Sequence, residues 1–205
     1  MFGGERKKLL AELKERYKMT TIIMDFETSG LPNADAAPLD SQPHAIEWAA
    51  IKIDDECNEI GRMEFICKPP IQISDIITKI TGLTNDDLKD KQPFEFFLPQ
   101  MEEFFLGTRG LIAHNLTFDE NILKYELRRL NRLTSFPWPP KHICTVEKTF
   151  HLNGHRLNLA KMHLQLTGEE FTNGAHRAMN DVEALLRCVK VLTTKGIIKL
   201  GEDNG

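Results

Sequence analysis

At 205 residues, 41% of them hydrophobic and 27% charged, the chain is long enough for one domain that buries roughly 70% of its unfolded surface, so no disulfide or structural metal is needed to hold it together. Cys57, Cys67, Cys144 and Cys188 form no Cys-x-x-Cys pair, which argues against a zinc site and fits reduced thiols in a cytoplasmic protein. No apolar run reaches the length of a membrane span and no signal-peptide core opens the chain, so no membrane partner is expected. A net charge of −4 with a pI near 6.0 excludes nucleic-acid binding through a broad positive field. A nucleic-acid enzyme of this balance would act at short range on a few terminal nucleotides, with bound cations neutralising its acids and the phosphate.

Residues 1–19 are expected to be a separate basic amphipathic helix. Arg6, Lys7, Lys8, Lys14, Arg16 and Lys18 outweigh Glu5, Glu12 and Glu15, while Leu9, Leu10, Leu13 and Tyr17 make an apolar stripe suited to docking on the body. The run Thr20-Thr21-Ile22-Ile23-Met24 predicts a central strand near 20–26, ended by Gly30, Pro32 and Asn33. Residues two apart share a strand face, so Asp25 and Glu27 point the same way. Burying both without partners would cost several kcal/mol, on the order of the penalty for isolated buried charges. A metal ion relieves that cost, as would a solvated strand end.

Further strands are expected near 45–53, 60–67 and 110–113, and helices near 98–106, 117–131, 157–166 and 178–193. Thr117 followed by Glu120 has capping-box spacing and opens the second of these helices. Asp119 then falls in its first turn, where the helix dipole favours an anion, whether that anion stabilises the helix or binds a metal. Asn115 can give an amide to a nucleotide or satisfy the turn, and Phe118 is either core or a ring for a base to stack on. Arg128 and Arg129, with Arg132, suit the carboxyl end of that helix. Phe136-Pro137-Trp138-Pro139-Pro140 reads as a rigid surface loop. His151 and His155 are spaced as helical ligands but flank Asn153-Gly154, a turn signal, so no metal is assigned to them. Leu157, Leu159, Met162 and Leu164 are expected in the core.

Ala178, Val182, Leu185, Leu186, Val189 and Leu192 recur at helical spacing. His176 and Asp181 are five residues apart, about 140° around a continuous helix, so they share a site only if His176 stands on the loop entering it. Asn173-Gly174 supplies the loop signal. The near-neutral reference pKa of histidine suits a base that takes a proton from water. The alternation of strands and helices gives an α/β fold with a central sheet flanked by helices.

In Asp25, Glu27, Asp119, His176 and Asp181 the chain resembles the DEDDh subfamily of 3′→5′ exonucleases, which includes the proofreading epsilon subunit of bacterial DNA polymerase III, ribonuclease T and oligoribonuclease. Ala45-Ile46-Glu47-Trp48-Ala49-Ala50 and Ile80-Thr81-Gly82-Leu83-Thr84 extend the likeness, which runs from about residue 20 to 192. The resemblance implies a ribonuclease H-like exonuclease fold over 20–195, with 196–205 as a tail. It also implies two Mg²⁺ or Mn²⁺ ions. Asp25 would be shared between them, with Glu27 and Asp181 on one ion and Asp119 on the other, while His176 acts as general base and nucleoside 5′-monophosphates leave. Thr28, Ser29, Gly30 and Leu31 would grip the terminal nucleotide, with Leu31 or Phe118 as a wedge and Leu83 and Asn115 as further contacts.

Three departures bear on substrate preference. The segment 32–43 is longer than the family's usual loop and could form an extra lip on the groove. Thr81 stands where the proofreading subunit has a histidine. Cys144-Thr145 stands at a strand end where Asp-Thr is common. The substrate expected is the 3′ end of DNA, single-stranded above all, beside a polymerase. An exoribonuclease is the alternative. A catalytically silent polymerase-binding module is a third reading, against which the intact set of five residues argues.

Overall fold

A computed structural model describes residues 20–34, 36–171 and 176–200. The expected amino-terminal helix and the Asn173-Gly174 turn lie outside the described residues.

The chain runs β1 (Thr21–Thr28), a 3₁₀ turn at Leu39–Ser41, β2 (Ala45–Ile53), β3 (Glu59–Ile66), α1 (Asp75–Thr81), α2 (Asn85–Leu88), α3 (Phe94–Phe105), β4 (Gly110–Ala113), α4 (Leu116–Arg129), β5 (Lys141–Cys144), α5 (Thr145–Asn153), α6 (Leu159–Thr167) and α7 (Ala178–Thr194). The sheet order is β3-β2-β1-β4-β5. β2 is antiparallel to β1 and β3, whereas β1, β4 and β5 are mutually parallel, so the sheet is mixed.

β1 is buried on both faces, and its alternation distributes two cores. Ile22, Met24 and Phe26 enter one core with α3 and α4, where Trp48 is ringed by Phe26, Phe65, Phe104 and Phe105. Ile23 enters the other, with Val182, Leu185 and Val189 of α7. Asp25 and Glu27 share the parity of Ile23 and so face the α7 side. The parallel pair β1–β4 closes tightly at its start, where a Cβ on Gly110 would lie 2.6 Å from Thr21 Oγ1.

Several expectations are corrected here. α4 begins at Leu116, with Asn115 at its amino-terminal boundary in the left-handed region (φ 68) and no capping side chain. The abrupt turn out of β4 needs that conformation, which asparagine tolerates, and it draws Thr117 into the helix. Glu120 instead accepts from Lys124 at 2.8 Å and pairs with His142 Nδ1 at 2.6 Å. α3 starts earlier than expected because Pro93 fits the amino-terminal boundary of a helix, and Phe94, Leu98, Met101 and Phe105 form its buried stripe. The Phe136–Pro140 segment is anchored, with Phe136 buried and Trp138 packed on the first core. Leu164 is 46% exposed, while Met162 beside it is buried. Ile198 and Leu200, placed in the expected tail, are buried in the second core.

The long segment after Leu31 folds away from the groove. Arg129 donates to the carbonyls of Leu39 (3.1 Å), Gln42 (2.7 Å) and Pro43 (3.1 Å), and Asn33 N–H donates to Gln42 Oε1 at 3.0 Å. That ties it to α4, and none of its described residues is among those lining the cavity described below.

Candidate active site

β4 stops pairing with β1 after Ile23, which leaves the next ladder N–H without a strand partner. Asp119, in the first turn of α4, takes it: Phe26 N–H donates to Asp119 Oδ1 at 3.0 Å. Asp119 is thereby drawn against the carboxyl end of β1, and its second oxygen, Oδ2, is buried with no hydrogen-bond partner among the described residues. A buried carboxylate oxygen left unpaired is costly unless a cation meets it.

On the α7 side, one ligand atom from each of Glu27, His176 and Asp181 can be chosen so that all three lie within 4.8 Å of one another. His176 is exposed and stands on the loop before α7 in a left-handed conformation (φ 66), with its N–H donated to Asp181 Oδ2 at 3.0 Å. The loop entry turns what would be opposite helix faces into one site. A non-glycine residue held there stores backbone strain, as residues at functional sites often do.

The four acids crowd one another. Burial, then repulsion from Asp119, Asp181 and Glu27, pushes Asp25 well above the usual carboxylate range. Burial, then Asp181 and Glu47, raises Glu27 to about 8 against the opposing Arg177. Asp181 rises to about 6 through burial, opposed by the His176 N–H. Asp119 is raised by burial, although the Phe26 N–H works against it. Protons can relieve such crowding, and so can divalent cations, which prefer oxygen ligands of this kind. The unpaired Asp119 oxygen and the Glu27–His176–Asp181 cluster fit that use.

Three of the acids open on a cavity of about 690 Å³, with Asp119 buried outside its lining. Asp25, Glu27, Asp181 and His176 line it, as do Thr28, Ser29, Gly30, Leu31 and Phe118. The Thr28–Gly30 turn is pinned: Thr28 Oγ1 donates to Gly30 O at 2.6 Å, and Ser29 exchanges bonds with His44 through N–H to O (2.8 Å) and Oγ from N–H (2.9 Å). Leu31 projects, 80% exposed.

Two expected contacts are not brought there. Leu83 is buried with Ile46, Ile73 and Leu88, because Asn85 clamps Ile73 by two 2.9 Å bonds and folds the α1–α2 corner inward. Asn115 lies outside the cavity lining, and its Oδ1 accepts from Arg156 at 3.0 Å.

Of the other lining residues, Ile80 falls in the 80–84 segment of the resemblance, while Ile76, Ile77 and His114 carry no sequence expectation. Ile76, Ile77 and Ile80 of α1 form an apolar wall opposite the Thr28–Leu31 turn. Their signal was present: Ser74 caps α1 and Gly82 ends it at φ 74. His114 also faces the cavity, with its ring held between Thr145 Oγ1 (3.0 Å) and Leu157 O (3.1 Å), and burial lowers its pKa to about 4.

The family model for exonucleases of the RNase T type matches residues 22–189. The chain belongs to that exonuclease family, in its DEDDh group. It has the ribonuclease H-like fold of solved 3′-exonucleases. Among curated proteins, this exonuclease is 30% identical to the PolC-type DNA polymerase III of Thermotoga petrophila over 191 residues, which is 89% of the chain and 13% of the relative. It thus spans about an eighth of that relative's length. Among solved structures, it is similar in fold to the nuclease domain of 3′hExo bound to rAMP, with a TM-score of 0.72 and 19% identity over 91% of the chain and 98% of the neighbour. It is also similar to Escherichia coli exonuclease I in complex with a dT13 oligonucleotide, with a TM-score of 0.69 and 22% identity over 86% of the chain and 41% of the neighbour.

Proposed function

We propose that the domain over residues 20–195 removes nucleotides from the 3′ end of single-stranded DNA in proofreading or end trimming, as nucleoside 5′-monophosphates, beside a DNA polymerase. The observation that carries this reading is the convergence of Asp25, Glu27, Asp181 and His176 on one cavity with the unpaired Asp119 oxygen behind them. The 30% identity to a replicative polymerase favours DNA. The cavity lies within the range of about 300–1,000 Å³ common for small-ligand sites, which suits one or two terminal nucleotides better than a duplex.

Asp25, Glu27, Asp119 and Asp181 would hold two Mg²⁺ or Mn²⁺ ions. Such ions polarise a phosphoryl oxygen and acidify water. His176 takes the proton of the attacking water on a ring nitrogen. Leu31 and Phe118 bracket the terminal base, and the pinned Thr28–Gly30 turn offers its backbone to the sugar and phosphate. An exoribonuclease is the second reading, favoured by the similarity in fold to a protein bound to rAMP.

The experiment incubates end-labelled single-stranded DNA, mismatched duplex and RNA of one sequence with the protein in Mn²⁺ or EDTA. Stepwise loss from the 3′ end of DNA in Mn²⁺ alone is expected, and His176→Ala should slow it by on the order of 10²- to 10⁴-fold. Preference for RNA would move the reading to the ribonuclease. Unchanged turnover in the His176 variant would remove its assigned role.

A further inference from the structure

We propose that Glu47 and Arg177 are a positioning pair that sets where His176 and Asp181 stand in the cavity. The proposal rests on the nuclease reading above and extends it to two residues outside the metal-ligating set.

Glu47 sits on β2 directly across the ladder from Glu27 and is only 3% exposed. A carboxylate so buried must be paired, and every partner here comes from the entry of α7. Arg177 Nε donates to both oxygens at 3.1 Å, and its Nη2 donates to Oε1 at 2.9 Å. Ala178 N–H, the first of α7, donates to Oε2 at 3.2 Å. The residue at the amino-terminal boundary of α7 caps nothing with its own side chain. A strand residue distant in sequence therefore satisfies an orphan donor that helices ordinarily satisfy locally.

This anchorage falls between the two site residues. His176 immediately precedes Arg177, and Asp181 lies one helical turn beyond it, with its N–H donated to Arg177 O at 3.1 Å. The His176 N–H closes the loop on Asp181 Oδ2. Residues 176–181 thus form one hydrogen-bonded unit that Glu47 ties to β2 by four hydrogen bonds at its entry. A small rotation about that tie would displace His176 and Asp181 together relative to Glu27 on β1. The forked guanidinium–carboxylate contact fixes orientation as well as distance, which a lysine ammonium cannot do.

The pair can therefore be separated from its charge. Arg177→Lys keeps the cation and loses the fork; Glu47→Gln keeps acceptor and shape and loses the anion. The test measures kcat and KM in Mn²⁺ for wild type and both variants, amide hydrogen exchange of residues 176–181 in metal-free protein, and thermal melting. Arg177→Lys should melt within a few degrees of wild type, lose about 10- to 100-fold in kcat with little change in KM, and exchange the 176–181 amides faster by a similar factor. Glu47→Gln should fall between Arg177→Lys and wild type. Wild-type kcat in Arg177→Lys would overturn the proposal, whether or not exchange changes, and so would unchanged exchange. A wild-type protein inactive on every substrate would overturn the functional reading instead, and the exchange arm would still decide whether the pair holds the loop.

Discussion

Stripped of metal, the protein should become less stable as pH rises above about 6.5, contrary to the usual effect of surface carboxylates. Glu27 has its pKa raised to about 8 from an ordinary 4.5. Between those values the folded protein keeps a proton that the unfolded chain has released, so stability falls with rising pH through that window and the loss is complete above 8. At 1.36 kcal/mol per unit, the whole window amounts to about 5 kcal/mol. His114 runs the other way. Its folded pKa is lowered to about 4 from 6.5, so stability climbs as pH rises from 4 to 6.5 and is level beyond. From about 5 to 6 the His114 climb offsets only part of the fall, because Asp181, raised to about 6, adds a second falling slope to that of Glu27. Above 6.5 only the Glu27 slope remains of the two, worth about 2 kcal/mol by pH 8, or roughly 4–8 °C for a domain of this length.

The assay is melting by circular dichroism in EDTA from pH 5 to 9, repeated with Mg²⁺ at pH 8.5. Wild type should fall in melting temperature from pH 5 to 8.5, with the fall reversed by the ion at pH 8.5. Glu27→Gln removes the titrating group and should melt higher than wild type at pH 8.5 without metal, by up to about 10–20 °C if the full 5 kcal/mol is recovered. Between pH 5 and 6 the variant should be nearly level, because the Asp181 fall and the His114 climb oppose each other. A metal-free wild type equally stable at pH 6.5 and 8.5, or a variant as steep as wild type there, would refute the crowding of the acids.

Asp119→Asn should likewise raise the metal-free melting temperature, because burial, then repulsion from Glu27 and Glu120, pushes that carboxyl up, while abolishing Mn²⁺-dependent hydrolysis; retained hydrolysis would show that the orphan oxygen holds no ion. Gly110→Ala should cost about 1–3 kcal/mol in urea denaturation, the usual cost of overpacking, since its Cβ would meet the buried Thr21 Oγ1 at 2.6 Å. An unchanged midpoint would mean the β1–β4 pair can spread. Arg129→Met should cost about 2–4 kcal/mol, because the Gln42 and Pro43 carbonyls lose their donor and the buried Glu126 loses its cation; hydrogen exchange should rise in residues 39–43 and leave the cavity turn at 28–31 as it was.

What the sequence revealed and what it hid separate along one physical line. The strand carrying Asp25 and Glu27 announces itself by β-branched residues and period two, and α7 by six apolar positions at helical spacing; both are local patterns that tertiary packing then uses unchanged. β5 is legible only through the resemblance, at Cys144-Thr145, and not from its own pattern, because Lys141–Cys144 is a four-residue edge strand with little alternation, defined by its pairing to β4. The Thr117–Glu120 motif misled for the converse reason. A capping box is worth little against the need to turn sharply out of β4, and Asn115 takes that turn.

Glu47 is the instructive case. A lone acid in an otherwise apolar strand is a local anomaly that asks for a partner, yet nothing nearby in sequence supplies one. Its partner lies 130 residues on, beside the histidine that the sequence did mark as a candidate base. Side chains that perform chemistry can be inferred from their type and spacing, because the reaction dictates both. Those that hold them in place are dictated by the fold, and an unexplained buried charge is the trace they leave in the sequence.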